Sequence, residues 1–557
     1  MSPAQPVAVT AASRVGRRRW FGLFFLALGV AMIIVDATIV NVAVPSIIRD
    51  LGITSTGAQW VQEAYTLVFA ALLLTAGRLA DRSGRRLLFM VGVVVFMIAS
   101  VLAARSGTGT ELILSRVVQG VGGAMMLPTS LSIINAGFRG RERGIAFAVW
   151  GSVIGGTAAL GPLLGGWLTT SYSWRWAFGI NVPLGLAVLL GCWVFVDESR
   201  DEDSARGTDV LGALLSVLGF GMLVFGLIEG RTYGWWQAQR QFSLLGFDWT
   251  AGLSVIPVAF MLGLLALLTF ALLERARNRA GKVVLLDLSL FRITSFRNGN
   301  IAAGIVSLGE FGLLFSLPLW FQNVRGYSAF ETGLALLPLA VGSFVSSAFG
   351  GQLAQRRGAA FVVRTGITLE IVGVAGIGLV VAPTTSWAVT SPLLFVYGIG
   401  VGLATAQLTG VVLVDVPVAR SGQGSGTQST TRQIGSAFGI AILGTVLFAS
   451  LGADLDRRLE QRGQLSAAQR SQVVSAVRDS AGAAIGGLER SPATAAVALD
   501  AKQAFSQGAR WSAWTAAGFL LIGLLATLSL GRSAERGAAE EEEDDVGAED
   551  APGSRRQ

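Results

Sequence analysis

Long apolar runs separated by short polar segments make up most of the chain. A run of about 20 apolar residues is long enough to cross the hydrocarbon core of a bilayer as a helix. The pattern repeats along the chain and predicts fourteen membrane-spanning helices. Their approximate positions are 20–46, 58–79, 87–104, 111–135, 145–169, 177–196, 208–229, 250–273, 298–321, 332–354, 361–381, 391–414, 430–450 and 511–531.

The basic residues between these runs predict the orientation of the helices. If the N-terminus is cytoplasmic, the inner loops contain basic clusters at 82–86, 139–143, 275–297 and 356–364, whereas the short outer loops contain few basic residues. Cytoplasmic loops of membrane proteins carry the excess of Lys and Arg. The sequence therefore predicts that both termini are cytoplasmic. The acidic inner loop 197–209 does not change this prediction, because acidic residues contribute little to orientation.

Two segments outside the apolar runs have no predicted chemistry. Residues 451–510 are polar and rich in Ala, Arg and Gln, and we predict one or two amphipathic helices there, on the outer face. The tail after Leu530 contains the acidic run 540–545. Such a charge run is most simply a disordered, solvated end.

A repeat of about 274 residues divides the chain. The frame G-x-L-A-x-R-x-G occurs at 77–84 and again at 351–358. The same offset places Glu310 opposite Asp36, and Gly435 and Gly439 opposite Gly161 and Gly165. Duplicated six-helix halves suit a transporter that rocks around a central site. The predicted parts are an N-terminal tail (1–19), a six-helix bundle (20–196), an acidic linker with two inserted helices (197–273), a second six-helix bundle (274–531) and an acidic tail (532–557).

The composition excludes several classes of protein. Hydrophobic residues make up 52% of the chain and charged residues 14%, against about 25% charged residues in soluble domains. The chain has no His and one Cys, Cys192, which excludes Ser-His-Asp triads, Cys-His nucleophiles and His-containing zinc sites. We therefore expect neither an enzyme, nor a metal site, nor a cofactor. No P-loop is present. The net charge of +8 lies mostly in loops, so it does not predict nucleic-acid binding.

Asp36 lies in the middle of the first apolar run. A low-dielectric environment disfavours an ionised carboxylate, so an acid at this position is suited to binding and releasing a proton. The alternative is a structural acid held by a neighbouring donor. Asn41, just over one turn later, must face protein or water rather than lipid. Arg116, inside the fourth run, needs a carboxylate or carbonyl partner, and Asp36 is the partner we predict. The alternative is an Arg at the membrane edge that extends to water.

Other polar residues inside the apolar runs are further candidates. Glu310 is predicted to bind a proton or to balance the charge of a cationic substrate, and Glu370 to lie at a substrate cavity or, alternatively, to be structural. Phe311 and Phe315 are candidates for the cavity wall, although aromatic residues at helical spacing are more often packing residues. Glu63, near the outer end of the second helix, could simply be solvated.

Three motifs resemble those of a known family. The segment Gly77-Arg-Leu-Ala-Asp-Arg-Ser-Gly-Arg-Arg86 resembles the signature loop between helices two and three of the major facilitator superfamily. In that family the loop stabilises the outward-facing state. The resemblance assigns this role to Gly77, Asp81, Arg82, Gly84 and Arg85. The second copy has Gln355 in place of Asp81, which implies a looser contact in that half.

The other two motifs lie in the fourth and fifth helices. Arg116, Gln119 and Gly120 are similar to the family's fourth-helix motif, whose Arg is linked to proton coupling. The pattern G-x4-G-P-x2-G-G in the fifth helix resembles the motif that marks antiporters of the superfamily. Its residues here are Gly156, Gly161, Pro162, Gly165 and Gly166.

The chain as a whole resembles the fourteen-helix drug:proton antiporters of this superfamily. The resemblance implies an all-α membrane protein of the major facilitator fold, with two six-helix bundles and two inserted helices. It also implies proton-driven export of small amphipathic drugs. For that function we expect Asp36, Arg116 and Glu310 in proton coupling and Asn41, Gln119, Phe311, Phe315 and Glu370 at the cavity. A monomer is the family's usual form. The Arg-rich, Lys-poor composition indicates a GC-rich bacterial genome, and the expected location is the bacterial cytoplasmic membrane. The alternatives are a dedicated exporter of one metabolite, lipid or siderophore, and a transporter-like membrane sensor.

Overall fold

Within the described residues, each predicted membrane-spanning segment contains a helix. A computed structural model describes residues 8–138, 140–200, 209–244, 247–282, 284–413, 415–416 and 421–528. The helices are α1 (Ala8–Leu51), α2 (Ser55–Ser83), α3 (Arg85–Arg105), α4 (Gly109–Gly137), α5 (Gly140–Ser171), α6 (Trp176–Gly179), α7 (Asn181–Phe195), α8 (Val210–Tyr233), α9 (Val255–Arg279), α10 (Thr294–Asn323), α11 (Ala329–Arg357), α12 (Ala359–Val380), α13 (Trp387–Leu413), α14 (Ser421–Arg462), α15 (Ala467–Asp479), α16 (Ala484–Glu489) and α17 (Ala495–Thr527). A short antiparallel hairpin, β1 (Phe242–Leu244) and β2 (Phe247–Trp249), follows α8, and a 3-10 turn (Leu288–Arg292) precedes α10. The acidic tail after Leu530 lies outside the described residues.

Twelve helices in the described part of the chain are long and apolar enough to cross a membrane. Helices α2 and α5 coincide with two of the fourteen predicted spans but are not among these twelve. The segment of α2 contains Gln59, Gln62 and Glu63, which lower its hydropathy. The all-α membrane fold is confirmed, whereas the count of fourteen spanning helices stays a prediction.

The segment 451–510 is more helical than the sequence predicts. Helix α14 continues through it to Arg462, and α17 begins at Ala495, so the two short helices α15 and α16 occupy only the part between them. Leu451, Leu455 and Leu459 recur every four residues on the extension of α14, and all three are buried. This spacing puts them on one face of the helix, which explains why the extension folds against its neighbours.

Glycines allow close helix contacts within each half. We call helices α1–α7 the N-half and α10–α17 the C-half. In the N-half, a Cβ added at Gly161 or Gly165 of α5 would overlap with Thr38 and Ile39 of α1. In the C-half, Gly435 of α14 lies equally close to the backbone of α10. Both glycine faces thus pack against the helix that contains the predicted proton-binding acid of their half. Small residues allow such close approach of membrane helices.

The described contacts between the two halves lie toward one end of the bundle. This end contains the α1–α2 turn; the basic-loop pattern assigns it to the outside, and we call it the outer end. Gly166 of α5 packs against Ala329 of α11. Gln322 of α10 donates a hydrogen bond to the Val42 carbonyl of α1 (2.9 Å). The halves are therefore in contact at the outer end.

The two inserted helices, α8 and α9, lie next to the contact between the two halves. Val224 and Ile228 of α8 form one buried apolar cluster with Leu67 of α2 and with Ala437 and Ala441 of α14. Helix α8 thus touches both halves along the line where α2 meets α14, and α9 packs on α8. We call this line, together with the other outer contacts between the halves, the outer seam.

Candidate functional site

The Asp36 carboxylate is fully buried and accepts hydrogen bonds from three side chains on two helices, α4 and α7. Its Oδ2 accepts from Arg116 Nη1 of α4 at 2.5 Å. Its Oδ1 accepts from Gln119 Nε2 of α4 at 2.7 Å and from Asn181 Nδ2 at the start of α7 at 2.8 Å. Asp36 and Arg116 are both 0% exposed. Charge-assisted hydrogen bonds of this kind are shorter and stronger than neutral ones.

Arg116 is held in place by groups from α2 and from its own helix. Its Nε donates to the Val61 carbonyl of α2 at 3.1 Å, and its Nη1 also donates to Gln119 Oε1 at 2.6 Å. The guanidinium carbon lies 4.3 Å from the centre of the Tyr65 ring, which is cation–π distance. The guanidinium is therefore a partner of Asp36 and does not extend to water.

Two residues of this network were not predicted as site residues. Ser100 of α3 accepts hydrogen bonds from Gln119 (3.0 Å) and from Asn181 (3.1 Å), which fixes both amides against Asp36. A single Ser in an apolar helix gives no sequence signal of such a role. Asn181 lies at a helix start, where a polar residue is unremarkable. Asp36 is thus bridged to α3, α4 and α7 by residues distant in sequence.

Glu310 belongs to a second buried polar cluster in the C-half. Its Oε1 accepts from Thr405 of α13 at 3.3 Å, and its Oε2 lies 3.9 Å from the Arg432 guanidinium of α14. Glu310 is 4% exposed. Glu370 of α12 is fully buried as well, and neither of its carboxylate oxygens has a hydrogen-bond partner within the described residues. The C-half acid therefore has a longer and looser ion pair than Asp36.

The signature loop turns sharply at Gly84, which has a positive φ of 117°. Glu198, at the end of the N-half, accepts hydrogen bonds from the backbone N–H groups of Arg86 (2.9 Å) and Leu87 (3.0 Å). The Arg85 N–H donates to the Ser199 carbonyl (3.0 Å). A carboxylate at a helix N-terminus is stabilising, so the start of α3 is held by the acidic linker. Gly77 faces Pro128 of α4. The side chains of Asp81 and Arg82 lie outside the described part.

The residues predicted to line a substrate cavity differ from one another in what surrounds them. Gln119 belongs to the Asp36 network, and Asn41 accepts a hydrogen bond from Gln62 of α2. Phe315 is buried and packs edge-on against Phe448, whereas Phe311 is half-buried. The packing alternative thus describes Phe315 in this conformation. In the fifth-helix motif, Pro162 is buried beside Gly333 of α11, and the surroundings of Gly156 lie outside the described residues.

Comparison with known proteins gives consistent matches. The family model described as Major Facilitator Superfamily matches residues 26–440. "Multidrug resistance protein Stp" of Mycobacterium tuberculosis is 34% identical over 477 residues, which cover 85% of this chain and 84% of that protein. "Tetracenomycin C resistance and export protein" of Streptomyces glaucescens is 31% identical over 446 residues, covering 80% of this chain and 79% of that protein. A solved structure of a bacterial homologue of the human lysosomal transporter Spinster matches with a TM-score of 0.61 at 15% identity, covering 92% of this chain and 97% of that one.

Proposed function

The chain belongs to the Major Facilitator Superfamily, and on that premise we propose that it exports amphipathic drugs or antibiotics across the bacterial cytoplasmic membrane in exchange for protons. Its relatives are named for multidrug resistance and for antibiotic resistance and export, which supports efflux. The observation that carries the proton-driven mechanism is the buried Asp36–Arg116 ion pair. In this proposal the protein works as a monomer with both termini in the cytoplasm.

Protonation of Asp36 is the proposed coupling step. A proton from the outer side that binds Asp36 removes its negative charge and weakens its hold on Arg116. Substrate is released outside, and the bundle then turns inward. Loss of the proton to the cytoplasm restores the ion pair and completes the cycle. Moving one proton through the membrane potential supplies about 2.3 kcal/mol per 100 mV, which is enough to drive useful export with one or two protons.

Glu310 is the second proposed functional acid. Its contact with Arg432 is loose, so its charge is available to a cationic substrate or to a second proton. Glu370 lies among the same helices and adds a carboxyl group that a substrate cation can use. Asn41 and Phe311 are the proposed cavity residues nearest to Asp36 and Glu310 in sequence.

Substitution of Glu310 tests this role. We expect Glu310→Gln to raise the KM for cationic substrates about tenfold, because about 1.4 kcal/mol of charge interaction is lost, and to leave neutral substrates nearly unchanged. Transport is measured in proteoliposomes with one cationic and one neutral compound. Glu331→Gln is the control, since Glu331 is exposed and caps α11 at the outer end. An equal change for both compounds would rule out a charge-balancing role.

A dedicated exporter of one compound is the second candidate. The tetracenomycin relative is named for a single antibiotic, which favours this reading for some members of the group. Both candidates use the same Asp36–Arg116 pair, so only the breadth of substrates separates them.

The experiment that tests the proposal uses inside-out vesicles that hold a proton gradient. Cationic dyes and antibiotics are added one at a time, and collapse of the gradient is followed by a pH-sensitive dye. Collapse by several unrelated compounds supports multidrug antiport, and collapse by one chemical class supports a dedicated exporter. No response to any compound, together with retained ligand binding, favours a membrane sensor and contradicts proton-driven export.

A further inference from the structure

Glu63 of α2 is a buried acid without a polar partner. Its side chain is 0% exposed, and neither carboxylate oxygen has a hydrogen-bond partner in the described part of the chain. The sequence-based alternative of a solvated Glu63 near the helix end is therefore wrong for this conformation. Asp36, by contrast, has three donors. The two acids of the N-half thus have opposite environments.

The helix period places Glu63 in the outer seam. Gln59, Glu63 and Leu67 are spaced four residues apart and so lie on one face of α2. Gln59 donates to the Ile440 carbonyl of α14 at 3.2 Å. Leu67 packs in the cluster that contains Ala437 and Ala441 of α14. Glu63, between them, faces the same stretch of α14, so the contact between the two halves covers it.

No hydrogen bond in the described part of the chain brings a positive charge to the Glu63 carboxylate. Helix α14 has no titratable residue between Arg432 and Asp454, and α8 has none between Asp209 and Glu229. The charged groups named next have other hydrogen-bond or ion-pair partners, although Arg231 is joined to a neutral amide and its Nε has no partner within the described residues. At the end of α8, Glu229 accepts a hydrogen bond from Trp60 (3.0 Å) and Arg231 donates one to Gln59 (2.7 Å). On α4 and α1, Arg116 pairs with Asp36, and Asp50 at the outer end of α1 pairs with Arg175. On α15, Arg478 pairs with Asp479. The charged residues of α3, Arg85, Arg86 and Arg105, lie at its two ends.

An ionised carboxylate in this position is unfavourable. Burying a charge without a partner costs several kcal/mol, whereas a neutral carboxylic acid costs much less. Separation of the two halves at the outer seam would expose Glu63 to water, where an ionised carboxylate is solvated. When the seam is closed, the neutral form is strongly favoured.

We propose that Glu63 is a proton-binding site of the outer seam, and that the seam closes when a proton from the outside has bound there. The proton adds to one carboxylate oxygen to form the neutral acid, and it is given back to outside water when the seam opens again. Outer acidity then favours the return of the emptied transporter to the inward-open state. This inference rests on the proposed orientation and alternating access, but it does not require that any particular substrate is transported.

Distances between spin labels on the two sides of the outer seam test the Glu63 proposal directly, without any substrate. The native Cys192 is replaced by Ala, and labels are placed at Thr170 of α5 and Phe330 of α11, which are joined across the seam by a 3.0 Å hydrogen bond. This pair lies away from Glu63, so the labels do not disturb it. Distances are recorded in lipid nanodiscs between about pH 5 and about pH 9, a range that includes the titration of documented buried carboxyl groups. We expect a short distance at low pH and a growing long-distance population as the pH rises.

Glu63→Gln, which mimics the neutral acid, should remain in the short-distance form throughout this range. Glu229→Gln is the control and should keep the pH response of the parent. A pH response in Glu63→Gln equal to that of the parent overturns the proposal, as does loss of the response in Glu229→Gln alone. If Glu63→Gln does not fold, Glu63→Met is used instead. A short distance throughout the pH range then supports the proposal, and a pH response equal to that of the parent overturns it. Failure of the drug panel would overturn the proposed export while leaving this distance measurement unaffected.

Discussion

Asp36→Asn is expected to abolish proton-driven transport, with a loss of at least about a hundredfold, or ~2.7 kcal/mol, in the rate of coupled export. The amide cannot take up and release a proton near neutral pH. It also presents one acceptor oxygen to a site that holds donors from Arg116, Gln119 and Asn181. The measurement is gradient collapse in inside-out vesicles, with a compound that the parent protein transports.

Substrate exchange measured without a proton gradient distinguishes a loss of proton coupling from a loss of folded protein. Asp36→Asn leaves the buried Arg116 unpaired, and breaking a buried ion pair costs about 3–5 kcal/mol, so the amount and melting temperature of the protein must be measured as well. We expect the variant to retain substrate exchange without a proton gradient. The matched control is Asp50→Asn, the same change on the same helix at a half-exposed site paired with Arg175. Full coupled transport in Asp36→Asn would exclude Asp36 as the coupling acid and shift the proposal to Glu310.

Gly161→Ala is the second substitution with a large expected effect. The added methyl group would overlap with the Thr38 side chain and approach the Ile39 nitrogen at 3.3 Å. Overpacking of this kind costs about 1–3 kcal/mol, because the two helices must move apart. Thr38 lies two residues from Asp36, so separating α1 from α5 also displaces the ion pair. We expect a lower melting temperature in detergent and little or no transport.

Gly518→Ala is the matched control for this change. Gly518 lies within α17, and a Cβ there meets nothing within 4 Å. The same substitution should therefore alter stability by no more than about 1 kcal/mol and leave transport intact. Thr38→Ala in the Gly161→Ala background should restore part of the lost stability, since it removes the nearest clashing oxygen. Equal melting temperatures for Gly161→Ala and Gly518→Ala would contradict the close-contact explanation.

The helices themselves could be predicted from the sequence because the signal is local. A run of about 20 apolar residues must form a helix in a bilayer, where each backbone polar group needs an internal partner. The motifs around Gly84, Arg116 and Gly161 were equally readable, since turn geometry, a lone charge in an apolar run and glycine spacing are properties of short segments. The absence of His and the family resemblance followed from the sequence in the same way.

The extra helical length in segment 451–510 has a local cause too. Its polar composition predicted a loop between two spans, but Leu451, Leu455 and Leu459 extend the helical pattern of α14 beyond the membrane-length run. Length and hydropathy alone cannot show where a helix ends when it leaves the bilayer and packs against other protein segments.

The tertiary structure decided which polar residues meet. Asp36 obtains Arg116, Gln119 and Asn181 as donors from positions 80 to 145 residues away, and the placement of these groups depends on the rotation and packing of four helices. Glu63 has the same residue type as Glu310, yet only the contact between α2 and α14 shows that it is buried without a partner. The sequence determined the helices, the motifs and the family. The burial, pairing and isolation of each charge depend on long-range helix packing, which no local pattern encodes.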